Sequence, residues 1–271
     1  MVLFINMDLK IIHLNIEKSK HLDSVFDLLK EQQPDVVCLE EVMYSDMKRF
    51  TSEFGYELAF APLVIIKNEK GEDKEGSAIL SRIPIIETKI YRYDDQVNTE
   101  LPTYIEGQFV LSNGKREKER WLYHNSLLTV TILINGEIVT ISTTHFPVTD
   151  HGLPGLPDHT LPDLDYIDDI EHARVYLDRI ISIINKIPTP FVFTSDLNNT
   201  RSEYVYTTLA HELVDLVPSS VSSTIDSKLH RIPGLQLVVD TIMVSPDVSV
   251  KDFKIVEGVS DHKAFIARLE F

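Results

Sequence analysis

The sequence has a single cysteine among its 271 residues, which excludes an intramolecular disulfide as a source of stability. It contains no uninterrupted apolar run long enough to span a bilayer. Residues 1–10 lack the basic segment, long apolar stretch and small-residue cleavage site of a secretory signal. We therefore expect a cytoplasmic protein without a membrane span, and a monomer by default. Cys38 lies in the apolar run of residues 35–39, where we expect a buried strand position.

Basic residues are also scarce, because 26 Lys and Arg stand against 42 Asp and Glu, for a net charge of −16. A chain of this charge does not hold long duplex nucleic acid by general electrostatic attraction. Part of the acidity is equally consistent with a cleft that binds a divalent cation, for which carboxylates are the expected hard oxygen ligands. Hydrophobic residues make up 43% of the chain, which excludes the apolar-poor composition of disordered proteins.

The hydrophobic pattern alternates between strands and helices without a repeat or a linker. Residues 9–16 alternate as a strand, residues 21–31 have helical spacing, and residues 36–39 form a short apolar strand. This mixture of strands and helices favours a layered α/β sandwich over a purely parallel sheet, in one domain over residues 1–271. Further strands are predicted at 77–80, 129–134, 137–143, 191–194, 237–244 and 264–269, and helices at 167–185 and 203–213.

Polar side chains recur just after the predicted apolar strands, where functional sites are usually assembled. Alone, each has an ordinary explanation, because Asn and Asp favour turns and Glu often faces solvent. Together they offer hard oxygen ligands for a cation, acid/base groups, and donors for developing negative charge, which a phosphoester hydrolase needs. The residues are Asn15, Glu17, Glu41, His145, Asp196, Asn198, Asp240, Asp261 and His262.

The motifs that contain these residues resemble the endonuclease/exonuclease/phosphatase (deoxyribonuclease I-like) superfamily over almost the whole chain. That superfamily includes deoxyribonuclease I, abasic-site endonucleases, tyrosyl-DNA phosphodiesterase 2, inositol polyphosphate phosphatases and neutral sphingomyelinases. The resemblance implies a four-layer α/β sandwich, with two mixed β-sheets packed face to face and helices outside. Seven motifs in family order make chance unlikely: residues 14–17 (LNIE), 34–42 (PDVVCLEEV), 76–84 (GSAILSRIP), 142–145 (STTH), 194–198 (TSDLN), 239–240 (VD) and 260–262 (SDH).

The resemblance also implies a divalent cation, Mg²⁺ or Mn²⁺, and a role for each polar residue. Glu41 is the implied principal metal ligand, with Asn15, Glu17 and Asp261 beside it. Around the substrate, Asp196 would orient or deprotonate the attacking water, and Asn198 would hold a phosphate oxygen. His262, paired with Asp240, would face the scissile phosphate. His145 would bind the phosphate from the other side. The general base stays open between Asp196 and the His262/Asp240 pair.

Two residues depart from the family pattern. Ser195 replaces the usual Gly before the Asp-x-Asn motif, and Glu40 replaces the Gln that often precedes the metal glutamate. Glu40 would either alter the charge near the metal or face solvent, and we expect it to face solvent. His145 follows Thr144, where abasic-site endonucleases usually carry Tyr, so the chain points toward the other branches.

The substrate class stays divided between two kinds of phosphoester. A nuclease or nucleic-acid-end phosphodiesterase, acting on ends or single strands, is slightly favoured. A phosphatase or phosphodiesterase for a small-molecule or lipid-derived phosphoester, of inositol phosphate or sphingomyelin type, is the alternative, and an inactive binding scaffold is a third. The Pro- and His-rich residues 147–162, with His151 and His159, are expected to form a rim loop that decides the substrate; their spacing matches no compact zinc motif.

Overall fold

Fifteen strands and four helices make up the computed structural model, which describes residues 8–69, 71–93, 100–105, 108–110, 116–117, 123–147 and 166–271. The helices are α1 (Leu22–Gln32), α2 (Tyr44–Phe54), α3 (Tyr166–Ile184) and α4 (Tyr204–Glu212). The strands are β1 (Leu9–Asn15), β2 (Val36–Met43), β3 (Glu57–Asn68), β4 (Gly71–Ser81), β5 (Ile85–Arg92), β6 (Thr103–Ile105), β7 (Gln108–Val110), β8 (Arg116–Glu117), β9 (Ser126–Ile134), β10 (Glu137–His145), β11 (Phe191–Asp196), β12 (Val214–Asp215), β13 (Asp240–Val244), β14 (Ser249–Val256) and β15 (Ala264–Glu270).

The described strands form two mixed sheets. The first sheet has nine strands in the order β14-β15-β1-β2-β4-β3-β6-β7-β8, and the second has six in the order β12-β13-β11-β10-β9-β5. Each sheet contains parallel neighbours, β1 beside β2 and β10 beside β11, among mostly antiparallel pairs. The predicted α/β sandwich of two mixed sheets with outer helices is confirmed.

The central strand β1 is buried on both faces, which explains its nearly continuous apolar sequence. Ile12 and Leu14 pack with Phe26 of α1 and Phe50 of α2 on the outer side of the first sheet. Ile11 belongs instead to the larger core that is shared with the second sheet. The expected burial of Cys38 is confirmed, since its side chain has no exposed surface and lies in the same shared core.

Strand β2 departs from regular pairing just where it approaches the predicted site. Its register against β4 shifts between Leu39 and Val42, and Glu41 within this bulge has a left-handed backbone with φ of 52°. A bulge bends a strand and redirects its side chains, and such strained positions cluster at functional sites. Opposite Val42, Gly76 leaves room for strand β3, because a Cβ there would lie 2.2 Å from the carbonyl oxygen of Ala61.

The sequence pattern missed several short or half-exposed elements. Helix α2 buries only Met47 and Phe50 in a mostly polar segment and was not predicted, and β3, β5 and β14 were also not predicted. The strand predicted at 237–244 begins only at Asp240. The proposed rim loop beyond residue 147, with His151 and His159, lies outside the described residues. Among the described residues, none of the helices combines the length and apolar character that crossing a membrane requires.

Candidate active site

The predicted polar residues come together where strands of both sheets end. In the second sheet, His145 at the end of β10 lies opposite Asp196 at the end of β11, and Asp196 lies opposite Asp240 at the start of β13. The first sheet contributes residues at the ends of β1 and β2 and from the turn before β15. The site therefore spans the interface between the sheets, with Asn15, Glu41, Asp261 and His262 from one side.

Asp196 lies at the centre of this cluster and contacts residues from both sheets. Its Oδ2 atom accepts a hydrogen bond of 3.0 Å from Asn15 Nδ2 and lies 3.6 Å from His145 Nε2 and 3.7 Å from His262 Nε2. Its Oδ1 atom accepts a bond of 2.9 Å from the backbone N–H of Asn198. Burial raises the pKa of Asp196, but the two histidines and these hydrogen bonds outweigh burial and lower the pKa below its ordinary value. Asp196 is thus an ionised acceptor at neutral pH.

His262 is paired with a buried carboxylate. Its Nδ1 atom lies 2.9 Å and 3.0 Å from the two carboxylate oxygens of Asp240, which is 1% exposed. Burial lowers the pKa of His262, but Asp240 and Asp196 outweigh burial and raise the pKa well above its ordinary value. The imidazole is therefore a cation whose Nε2 faces Asp196, and such a group stabilises negative charge on a substrate.

His145 and Asn198 form the opposite wall of the site. Asn198 has a left-handed backbone with φ of 47°, and its Nδ2 lies 2.8 Å from His145 Nε2 and 2.9 Å from the carbonyl oxygen of Phe146. His145 Nε2 is also 3.8 Å from Glu41 Oε1. The side chains of His145 and Glu41 are 19% and 24% exposed, so this wall is open to a ligand from solvent.

Asn15 links the predicted metal glutamate to Asp196. Its Nδ2 donates to Glu41 Oε1 at 3.2 Å as well as to Asp196 Oδ2 at 3.0 Å, and its Oδ1 accepts the backbone N–H of Glu17 at 3.1 Å. The amide therefore joins one carboxylate from each sheet. Its role as a metal ligand stays a prediction.

The remaining predicted ligands lie beside Glu41. One ligand atom each of Glu17, His21 and Asp261 lies within 4.8 Å of the others. The Glu17 carboxylate accepts bonds from Lys20 at 2.8 Å and 2.9 Å and lies 3.0 Å from His21 Nε2. Burial raises the pKa of Asp261 against the effect of His262, and Glu17 and Glu41 add to the rise. Three carboxylates that repel one another fit a divalent cation with oxygen ligands.

Glu75 on β4 is a candidate residue that the sequence pattern missed. It is 5% exposed, and its Oε2 lies 3.4 Å from Lys18 Nζ. Burial raises the pKa of Glu75, and the Glu41 carboxylate adds to the rise. Lys18 and His145 act in the opposite direction and lower this pKa. Glu75 directly precedes the 76–84 motif, but the strand was predicted to begin at residue 77, so its position toward the site was not recognised.

The expectation that Glu40 faces solvent is wrong. Its side chain has no exposed surface, because it points between the sheets, where Glu40 Oε1 accepts a hydrogen bond from Thr143 Oγ1. Glu40 Oε2 lies 3.2 Å from Nε2 of His13, a second buried polar residue that the pattern missed. Burial raises the pKa of Glu40 well above its ordinary value and lowers the pKa of His13 to about 3. The His13 imidazole is therefore uncharged at neutral pH, and burial disfavours the ionised form of Glu40.

Comparisons with known proteins identify a family and similar folds. A family model described as "Endonuclease/Exonuclease/phosphatase family" matches residues 12–262. The fold is similar to an endonuclease/exonuclease/phosphatase from Bacteroides vulgatus, with a TM-score of 0.69, 19% identity, and coverage of 98% of this chain and 99% of that one. It is similar to D. rerio TDP2 complexed with a single-strand DNA product, with a TM-score of 0.64, 13% identity, and coverage of 97% and 99%. It is also similar to the human Nocturnin catalytic domain with bound sulfate, with a TM-score of 0.65, 15% identity, and coverage of 97% and 93%. A comparison with curated protein sequences found no match.

Proposed function

The chain belongs to the endonuclease/exonuclease/phosphatase family, whose members are generally phosphoesterase hydrolases, and we propose that it hydrolyses a phosphodiester by in-line attack of water. The observation that carries the proposal is the position of Asp196. An ionised carboxylate lies between two imidazoles and an amide, at 3.6 Å, 3.7 Å and 3.0 Å, beside a group of acidic side chains. This arrangement pairs an acceptor for water with donors for a phosphate.

Each residue around Asp196 has one task in this reaction. Asp196 accepts a hydrogen bond from the attacking water and takes its proton as the new O–P bond forms. The P–O bond on the opposite side of phosphorus breaks, and the leaving oxygen departs and takes up a proton from solvent. The cationic imidazole of His262, held by Asp240, and the side chain of Asn198 donate to phosphate oxygens as negative charge develops. His145 binds the phosphate from the opposite wall. Water attacks directly, so no covalent enzyme intermediate forms.

The acidic side chains beside Asp196 fit a divalent cation, which we propose to be Mg²⁺ or Mn²⁺. Glu41 would hold the ion, with Asp261, Glu17 and Asn15 beside it. The fit rests on the donor set, because one carboxylate oxygen each of Glu17 and Asp261 lies within 4.8 Å of the other, and Glu41 is close enough to raise the pKa of Asp261 together with burial. Such an ion, when bound, acts as a Lewis acid on a phosphoryl oxygen.

Nucleic acid ends or single strands are the proposed substrate class. A net charge of −16 disfavours attachment to long duplex, whereas a short end reaches a cleft without an extended basic surface. One protein of the same fold is described as a complex with a single-strand DNA product. The same acidity favours a second candidate, a small-molecule or lipid-derived phosphoester of inositol phosphate or sphingomyelin type.

The test is a hydrolysis assay on bis(p-nitrophenyl) phosphate, p-nitrophenyl phosphate, single- and double-stranded DNA, RNA, inositol phosphates and sphingomyelin. Each substrate is assayed with Mg²⁺, Mn²⁺ or EDTA. We expect metal-dependent turnover that falls by about 10²-fold or more in His262→Asn. Glu41→Gln is expected to lose turnover together with Mn²⁺ binding, measured by electron paramagnetic resonance. Glu31→Gln, an exposed change of the same kind on α1, is the matched control and retains both.

The substrate that turns over fastest decides between the two candidate classes. Preference for an oligonucleotide end supports the nucleic acid phosphodiesterase, and preference for inositol phosphate or sphingomyelin supports the alternative. A folded wild-type protein that turns over none of these substrates would refute the proposed function and favour a binding scaffold.

A further inference from the structure

A buried polar cluster connects the two sheets directly beneath the candidate active site. Thr143 Oγ1 of the second sheet donates to Glu40 Oε1 of the first, and Glu40 Oε2 lies 3.2 Å from His13 Nε2. Thr143 and Glu40 have no exposed surface, and His13 is 1% exposed. We call these three residues the inter-sheet cluster.

The inter-sheet cluster is polar where packing alone would favour apolar side chains. Within the described part of the chain, the two ring nitrogens of His13 and Oε2 of Glu40 make no hydrogen bond, and Nε2 and Oε2 are joined only by their contact at 3.2 Å. The His13 ring lies against Phe265, with centroids 5.9 Å apart, so part of its surroundings is aromatic. Buried polar groups with so few partners require an explanation, and a role at a functional site is one.

Glu40 and Thr143 of the inter-sheet cluster are each close in sequence to a residue of the candidate site. Glu40 directly precedes Glu41 in the bulge of β2 and pairs with Asn15 across β1 and β2. Thr143 lies two residues before His145 on β10, so both side chains point to the same face of the sheet. The hydrogen bond between Glu40 and Thr143 therefore sets the separation of the two strands that carry Glu41 and His145.

We propose that Glu40, His13 and Thr143 are positioning residues, which hold the metal-binding side of the site in the first sheet at a fixed distance from His145, Asp196 and Asn198 in the second. The inference rests on the proposed function. Asn15 ties the sheets at the level of the site itself, through Glu41 and Asp196. The inter-sheet cluster ties them one layer deeper, where no solvent competes for its hydrogen bonds.

Glutamine is the substitution that preserves this arrangement. Its side-chain amide presents an oxygen to Thr143 and an N–H donor to His13 Nε2, so Glu40→Gln retains both contacts. Leucine removes both contacts at similar size. The cluster is therefore tested by comparing Glu40→Gln, Glu40→Leu, Thr143→Val and His13→Phe, of which the last two remove one contact each and keep the volume.

The experiment measures turnover of bis(p-nitrophenyl) phosphate with Mn²⁺, Mn²⁺ affinity by electron paramagnetic resonance, and melting temperature. Thr143→Val, His13→Phe and Glu40→Leu are expected to lower kcat by about 10-fold to 100-fold with little change in KM, because small displacements of reacting groups cost this much. Mn²⁺ binding is expected to weaken about tenfold. Glu40→Gln retains wild-type kcat and affinity, and the Thr143→Val/His13→Phe double variant loses no more than either single variant.

Ser142→Ala is the matched control, because Ser142 lies next to Thr143 but donates on the other face of β10, to the carbonyl oxygen of Val192 at 3.2 Å. It loses one buried hydrogen bond and is expected to keep kcat and Mn²⁺ affinity. Wild-type values in Thr143→Val and His13→Phe would overturn the positioning role alone. A wild-type protein without turnover would refute the proposed function, but Mn²⁺ affinity across the variants would still decide the positioning role. If the wild type binds no Mn²⁺, the proposed function and the positioning role both fail.

Discussion

Replacing Glu40 with glutamine is expected to raise the free energy of unfolding, relative to that of the wild type, progressively as pH rises. Burial raises the pKa of Glu40 well above its ordinary value of 4.5, so the folded state carries a proton that the unfolded chain releases. A raised folded pKa means that the stabilising contribution is complete below the unfolded pKa and is lost as pH rises toward the folded pKa. Glutamine does not titrate, so the variant escapes this loss.

The magnitude follows from proton linkage. Each pH unit above the unfolded pKa removes about 1.4 kcal/mol from the free energy of unfolding of the wild type, as long as the folded carboxyl stays protonated. The advantage of Glu40→Gln therefore grows by up to about 1.4 kcal/mol per pH unit above the unfolded pKa, and it stops growing above the folded pKa. The second amide hydrogen of Gln has no equivalent partner and costs roughly 1–3 kcal/mol at every pH. The slope against pH, rather than the offset, is the predicted quantity.

The assay is urea denaturation followed by circular dichroism at several pH values in EDTA, for the wild type and for Glu40→Gln. Glu31→Gln on the exposed face of α1 serves as the control and is expected to show almost no slope. The low pKa of His13, about 3, makes the protein less stable as pH falls below about 6.5, so the slope is read above that pH. A difference that stays constant with pH, or that turns in favour of the wild type as pH rises, would show that the folded carboxyl is ionised and refute the reasoning.

Three other predictions test separate parts of the structure. Asp240→Asn removes the carboxylate that raises the pKa of His262 against burial. We therefore expect kcat/KM to fall by about 10²-fold or more, and the alkaline limb of its pH profile to move to lower pH. An alkaline limb that does not move would argue against the pairing of His262 with Asp240. Gly76→Ala places a Cβ 2.2 Å from the carbonyl oxygen of Ala61. Calorimetry should therefore show that the free energy of unfolding falls by roughly 1–3 kcal/mol. An unchanged melting temperature would contradict this close approach. Burial raises the pKa of Cys38, so a thiol reagent is expected to label it only after urea unfolds the chain, and labelling of the native protein would contradict the burial.

Much of the site was predictable because its residues follow strands, and strand ends are local properties of the sequence. Asn15, His145 and Asp196 come directly after runs with strand periodicity, and the structure brings them together as expected. Glu75 was missed because its strand continues beyond the apolar run into the charged segment that begins at Gly71. A half-exposed strand of this kind lacks the pattern that predicts it.

Glu40 shows where the sequence misleads. A glutamate beside another glutamate at the end of an apolar strand is usually a solvated charge. Here the bulge at Glu41 changes the register, and the second sheet covers the face to which Glu40 points. Neither feature is encoded within the neighbouring residues.

By itself, the sequence determined the α/β sandwich, the family motifs and the identity of the polar residues, because alternation and strand ends depend on neighbours in the chain. The tertiary structure alone decided which of these residues touch. The bond from Asn15 to Asp196 joins positions 181 residues apart, and the bond from Thr143 to Glu40 joins positions 103 apart. Both depend on how two sheets pack face to face, and the free energy that fixes that packing comes from the whole shared core rather than from any local segment.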